Sequence, residues 1–327
     1  MEKVVVENLW NGDRDAQIQA AMELSRFSSK QRHKLGESGV LVPLVSMLHS
    51  EDYEAIEASL CALLSLAFGS ERNKRRIIKC GALPVLLNHL HSQSQTVVQL
   101  TVAAMLTLSS CKANKVAIAS SGALQHLAEF VNSGDIQLQL DVVATIHNLS
   151  TCEEIVPLIV ASGIILSLLE LVHNSVKSSP LGEKAIGLLE NIVSSSESAL
   201  CEAASVGGAI RILVETIEDG SSLGKEHAVG ILFLICQSCR EKYRGLILRE
   251  GVMPGLLQLS IDGTRRAKNM ARELLLLLRD YSDYSSRQKQ MNHELIERIM
   301  EEIDADGEKL ADAKLRLVEE MIAKLNT

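Results

Sequence analysis

Three groups of residues in this chain carry side chains at spacings that could do chemistry. Cys236-Gln237-Ser238-Cys239 has the two-residue gap of a thiol–disulfide exchange motif, in which one thiolate attacks and the other resolves. It closes an apolar helical run, has no strand–helix–strand pattern around it, and has no second cysteine pair to complete a zinc site. His89 and His91 could touch one metal ion, but as a lone pair at a helix end they read as solvated. Arg72, Lys74, Arg75, Arg76 and Lys79 form the densest basic cluster. It reads as the solvated face of a short polar helix, with an acidic-partner or nuclear-targeting patch as the functional alternative. No metalloprotease, P-loop, dinucleotide or nucleophile-elbow motif is found. The expectation is a chain that is not an enzyme, with no catalytic residue, no cofactor and no metal.

Composition narrows the partners. Of the 327 residues, 46% are hydrophobic but only 3% aromatic, so the core has to be built from Leu, Ile, Val and Ala, which suits interlocking helices. A formal net charge of −8 argues against a nucleic-acid partner, which calls for a basic domain. Seven scattered cysteines, and a start in which Met1-Glu2-Lys3 carries no signal-peptide pattern, predict a cytoplasmic and/or nuclear chain with reduced thiols. Residues 155–172 are apolar enough to resemble a membrane span. They contain Pro157, Gly163 and Glu170 and stay in phase with the repeat described next, so no span is expected.

The element that has to position everything is a repeat. A small or polar residue followed by Gly and an apolar run recurs as Ser38-Gly39-Val40-Leu41-Val42-Pro43, Cys80-Gly81-Ala82-Leu83-Pro84, Ser121-Gly122-Ala123-Leu124, Ser162-Gly163-Ile164-Ile165, Gly207-Gly208-Ala209-Ile210 and Glu250-Gly251-Val252-Met253-Pro254. The glycines are 42, 41, 41, 45 and 43 residues apart, a period of the helical-repeat class. Each unit reads as three helices. A short polar helix ends at the Gly, a second starts at once with Pro tolerated in its first turn, and a longer third follows a polar break such as His49-Ser50-Glu51-Asp52. The extra residues of the 45-residue unit are expected in a loop near Lys177-Ser178-Ser179-Pro180. The division is therefore 1–28 as an N-terminal capping half-repeat, 29–280 as six repeats, and 281–327 as a linker with C-terminal amphipathic helices.

The run Gly81-Ala82-Leu83-Pro84-Val85-Leu86-Leu87 and the run Asn148-Leu149-Ser150 resemble the second-helix and third-helix signatures of the armadillo family. Asn73-Lys74, Asn114-Lys115 and Gly263-Thr264-Arg265-Arg266-Ala267-Lys268 make it most similar to plant U-box armadillo ubiquitin ligases, without the U-box itself. The resemblance implies an all-α, right-handed superhelical solenoid whose third helices line a concave, protein-binding face. In that face the family often uses an Asn on each third helix with a Trp one turn earlier. The Asn position, 26 residues after the Gly and 28 in the long unit, holds Ser65, Thr107, Asn148, Asn191, Leu234 and Leu277. One turn earlier stand Cys61, Ala103, Ala144, Gly187, Gly230 and Glu273, and the one tryptophan, Trp10, lies outside the array. Without Trp shelves to pack Lys and Arg stems, a role in nuclear import is not expected. The candidate protein-binding residues are Ser65, Thr107, Asn148, Asn191, Ala103, Ala144, Gly187 and Lys184. Asn148 and Asn191 stand either as clamps on a peptide backbone or as bonds within the array.

The expected partners are proteins, as an extended peptide or a helical segment. The resemblance implies a scaffold or adaptor in plant signalling or ubiquitin-linked regulation. Its alternative is the substrate receptor of a U-box-type ubiquitin ligase. From 287 to 327, Leu295, Ile299 and Ile303 share one helical face and Leu310, Leu317 and Met321 another. These faces suit a cap on the last repeat, with a self-association contact as the other reading.

Overall fold

The marker glycine ends a helix by its backbone. Gly81 sits at φ 85° and Gly163 at φ 79°, and the other four marker glycines share the same left-handed conformation. A Cβ at any of them would meet nothing within 4 Å. Conformation, not room, is therefore what calls for glycine, since the left-handed region costs an L-residue about 1–2 kcal/mol. Thirteen residues downstream, or sixteen in the long unit, a short polar side chain caps the third helix. The side chain of Asp52 accepts from the Glu54 N–H, Ser94 from Val97, Asp135 from Gln137 and Leu138, Ser179 from Gly182, Ser221 from Gly224 and Thr264 from Ala267. Each such cap stabilises its helix by about 1 kcal/mol.

The computed structural model describes residues 2–279; the segment 281–327, with its expected cap or self-association faces, lies outside the described residues. Contacts divide the chain into two compact units, Met1–Ser167 and another from Leu168 onward. The first holds α1 (Glu2–Asn11), α2 (Arg14–Leu24), α3 (Ser29–Glu37), α4 (Leu41–Met47), α5 (Tyr53–Ala67), α6 (Glu71–Lys79), α7 (Ala82–His89), α8 (Gln95–Ser109), α9 (Lys115–Ser120), α10 (Ala123–Phe130), α11 (Ile136–Ser150) and α12 (Val156–Ala161). Short 3-10 turns precede α9 and α12. The longest helices stack in order, α2 on α5, α5 on α8 and α8 on α11. Their apolar residues point both ways: α8 buries Val97, Val98, Val102, Ala104, Met105 and Leu108. The core is mainly aliphatic, as the composition requires, with Phe27 among its few aromatic members. Trp10 is half-exposed on α1, which packs on α2.

The division falls inside α13 (Ile164–Asn174). The second unit continues with α14 (Pro180–Ser195), α15 (Glu197–Ser205), α16 (Ala209–Asp219), α17 (Ser222–Ser238), α18 (Arg240–Arg249), α19 (Met253–Asp262) and α20 (Arg265–Leu278), in which α14, α17 and α20 stack. No strand occurs among the described residues. α13 has 11 residues, as α16 has, against 8 in α10; residues 175–178 follow it as a bend and turn before the cap at Ser179, whereas only Gly220 separates α16 from its next cap. Measured against α16, the extra residues of the long unit lie in the loop near Lys177-Ser178. Leu168, Leu169, Leu171 and Val172 are all buried, as are Leu90 and Val131 at the position equivalent to Val172. Ser179 and Pro180 start α14 as its cap and first residue. Residues 155–172 are broken at Gly163, and among the described residues no single helix is long and apolar enough to cross a membrane.

Candidate functional site

In the first unit the third-helix positions form a neutral ladder on α5, α8 and α11. Ser65, Thr107 and Asn148 are half-buried, as are Ala103 and Ala144, while Cys61 is exposed. Thr107 turns its Oγ1 back to the Ala103 carbonyl at 2.9 Å. The Asn148 amide donates to Ser109 Oγ at 3.1 Å and to the Leu106 carbonyl at 3.4 Å, both on α8. It therefore ties one third helix to the one before it. The Ser65 carbonyl accepts from Arg32 at 3.2 Å.

The Asn-Lys runs do related structural work. Asn73 on α6 donates to the Leu66 carbonyl at the end of α5, and Lys74 reaches forward to Ser110 Oγ, the cap of α8, at 2.8 Å. Asn114 donates to the Leu108 carbonyl, and Lys115 reaches Thr151 Oγ1 at 2.5 Å. Lys74 is thus buried and engaged, and does not belong to an exposed basic patch. Arg72 pairs with Glu37 and Arg76 donates to the Gly36 carbonyl, leaving Arg75 and Lys79 as exposed cations. Cys236 is buried at the end of α17, and burial pushes its thiol up, away from the thiolate that exchange chemistry needs.

The second unit carries a different ladder. Lys184 is exposed, Gly187 and Asn191 are half-buried, and the Asn191 carbonyl accepts from Ser195 Oγ at 2.7 Å. Beside them the structure gathers charges that sequence reasoning missed. Glu190 on α14 lies with only 8% of its side chain exposed. It accepts from Arg266 Nη2 on α20 at 2.5 Å and from His227 Nδ1 on α17 at 2.7 Å. Arg266 also donates to Glu226 Oε1 at 3.2 Å, and Glu226 accepts from Thr264 Oγ1. Burial alone would raise the Glu190 carboxyl; the hydrogen bonds from His227 and Arg266 outweigh it and hold the group below the usual carboxylate range. The same bond to Glu190 raises Arg266 further. Both carboxylate oxygens are engaged. That is the condition of a tie, not of a proton-transfer group.

Two glycines make room for the network. A Cβ at Gly230 would come within 2.1 Å of Glu190 Oε1, and one at Gly187 within 3.1 Å of His227 Nε2. Both stand one turn before the Asn position, where the first unit has Cys61, Ala103 and Ala144. Mid-helix glycine costs about 1 kcal/mol against Ala, so two of them one repeat apart were the available signal for a close approach.

A profile of the Armadillo/beta-catenin-like repeat matches residues 28–68, 70–110 and 111–151. Residues 28–151 carry three armadillo repeats. A stretch of 114 residues is 31% identical to U-box domain-containing protein 45 of Arabidopsis thaliana, covering 34% of this chain and 14% of that protein's length. Among solved structures, an engineered protein aligns with 99% of this chain and 78% of its own at 19% identity and a TM-score of 0.75. A designed armadillo repeat protein aligns with 84% and 98% at 21% identity and a TM-score of 0.55. Another, solved in complex with the peptide (KR)4, aligns with 84% and 98% at 18% identity and a TM-score of 0.54. These likenesses establish the armadillo fold. All three matched repeats lie in the first unit, so the neutral ladder is the armadillo surface nearest the family pattern.

Proposed function

We propose that the chain is a non-catalytic, protein-binding scaffold that takes an extended segment of its partner along the third helices of the first unit. The observation that carries this reading is the column Cys61, Ala103 and Ala144, beside Ser65, Thr107 and Asn148. Small side chains leave the ladder open, and hydroxyl and amide groups line it. A designed armadillo protein of the same fold holds the peptide (KR)4, which supports peptide capture in general. The ladder here has no Trp shelves to pack Lys and Arg stems, so the favoured partner is a mixed or neutral segment, not a Lys/Arg run. The 31% likeness to a U-box protein over 114 residues supports ubiquitin-linked regulation or plant signalling; a place in the cytoplasm or nucleus rests on the scattered cysteines of the sequence.

The test is blockade. Ala103→Trp and Ala144→Trp fill half-buried positions on the column and should abolish capture of partners from a lysate of the native tissue, with the fold retained by circular dichroism. Capture that survives both substitutions would move the site elsewhere. A second reading, favoured by the same likeness, is the substrate receptor of a U-box-type ubiquitin ligase. Ubiquitination reactions with this chain alone decide between them: robust chain formation would overturn the non-catalytic reading.

A further inference from the structure

Sequence spacing pairs His89 with His91, and the structure separates them. His89 Nε2 donates to the Leu48 carbonyl at 2.7 Å, a bond between successive repeats. His91, in the exposed turn after α7, instead faces His126 on α10, with ring centroids 4.5 Å apart and planes at 85°. Glu129 lies three residues after His126 on the same helix, hence on the same face. One ligand atom from each of His91, His126 and Glu129 lies within 4.8 Å of the other two. His126 Nδ1 is out of solvent contact and has no hydrogen-bond partner. A buried imidazole nitrogen without a partner is costly, so the hydrogen-bonding capacity of this ring is not fully spent.

We propose that His91, His126 and Glu129 form a binding site for a borderline divalent transition metal, of which Zn2+ is the type, joining the second-helix layers of two successive armadillo repeats. The donor set is two imidazoles and a carboxylate, with water as the fourth ligand. That set suits Zn2+, Cu2+ or Ni2+; Mg2+ and Ca2+ take oxygen ligands. Metal–nitrogen bonds of 2.0–2.1 Å in a tetrahedron put ligand atoms roughly 3.3 Å apart. The atoms therefore have to close by no more than about 1.5 Å, which side-chain rotation of the exposed His91 and Glu129 supplies. The bound ion would clamp the turn after α7 to α10, a contact otherwise made by packing alone. The site lies on second helices and is separate from the ladder assigned to partner binding.

The full chain, stripped with EDTA, is titrated with Zn2+ by calorimetry, with a parallel arm in which the thiols are alkylated, because Cys61, Cys201 and Cys239 are exposed. The expected result is one equivalent bound in both arms. His91→Ala and His126→Ala should weaken it by roughly 100-fold or more and Glu129→Gln by about tenfold. His91 and Glu129 are exposed, so those variants keep the metal-free melting temperature and remain readable if His126→Ala misfolds. Binding lost on alkylation, or unchanged in His91→Ala and Glu129→Gln, would overturn the site.

Discussion

The two units use equivalent positions of the armadillo frame in opposite ways. In the first, the groove positions of the third helices are joined by uncharged contacts, such as Asn148 to Ser109, while charged groups tie the helix starts, Arg14 to Glu54 and Gln99 to Asp135. In the second, Glu190, His227, Arg266 and Glu226 fill the corresponding surface, and glycines replace the alanines. The first ladder spends the Asn148 amide and the Thr107 hydroxyl on neutral bonds within the array. The second has turned its charges on one another, so an incoming basic peptide would have to displace Arg266 before reaching Glu190. The capture proposed for the first unit and the internal cross-bracing of the second would draw on the same side-chain positions.

The contrast breaks most sharply at Arg266→Ala. Severing a fully buried pair costs about 3–5 kcal/mol by stranding a charge. Arg266 keeps 47% of its side chain exposed, so water softens the loss and about 2 kcal/mol is expected, read from urea unfolding. A pH series sharpens the same point. Glu190 is held below its unfolded-state value, so its contribution is complete above the ordinary carboxylate range. It is lost as pH falls through the lowered native value. Wild type should therefore lose stability on acidification, and Glu190→Gln should lose less over the same window.

The glycine pair gives a smaller effect with opposite signs. Gly230→Ala drives a methyl to 2.1 Å from an oxygen pinned by Arg266, and should destabilise by about 1–2 kcal/mol even after the helix-propensity gain. Gly187→Ala meets His227 at 3.1 Å, a gap that a few tenths of an ångström relieves, so the propensity gain should leave it neutral or up to about 1 kcal/mol more stable. Equal melting temperatures for the two variants would mean that the network does not constrain Glu190. In the first unit, Asn148→Ala removes a hydrogen-bonded tie and should cost about 1 kcal/mol. Larger losses there than at Arg266 would invert the comparison.

The fold was legible because its punctuation is local. Gly39, Gly81 and their equivalents encode a backbone conformation at one position, and the spacing then counts the repeats. The long unit was legible for the same reason, since Lys177-Ser178 break the pattern just before Ser179 and Pro180 cap and open α14. The sites were less legible because they join distant positions. Glu190 and Arg266 are 76 residues apart and meet only because α17 between them carries Gly230. His91 finds His126 across a repeat boundary, while its sequence neighbour His89 bonds elsewhere. Lys74, one of a run of cations, is singled out only by its reach to Ser110.

The Glu190–Arg266 contact has a further consequence for how the second unit comes apart. A repeat array is commonly treated as a one-dimensional lattice in which each repeat feels only its immediate neighbours. A bond from α14 to α20 skips a repeat, so the coupling extends to the second neighbour. Fraying α20 also withdraws a counter-charge from α14 and costs more than one interface. Pulled from its C-terminal side in an optical trap, this stretch should yield as a single block, with one large rip where a nearest-neighbour lattice would give a staircase.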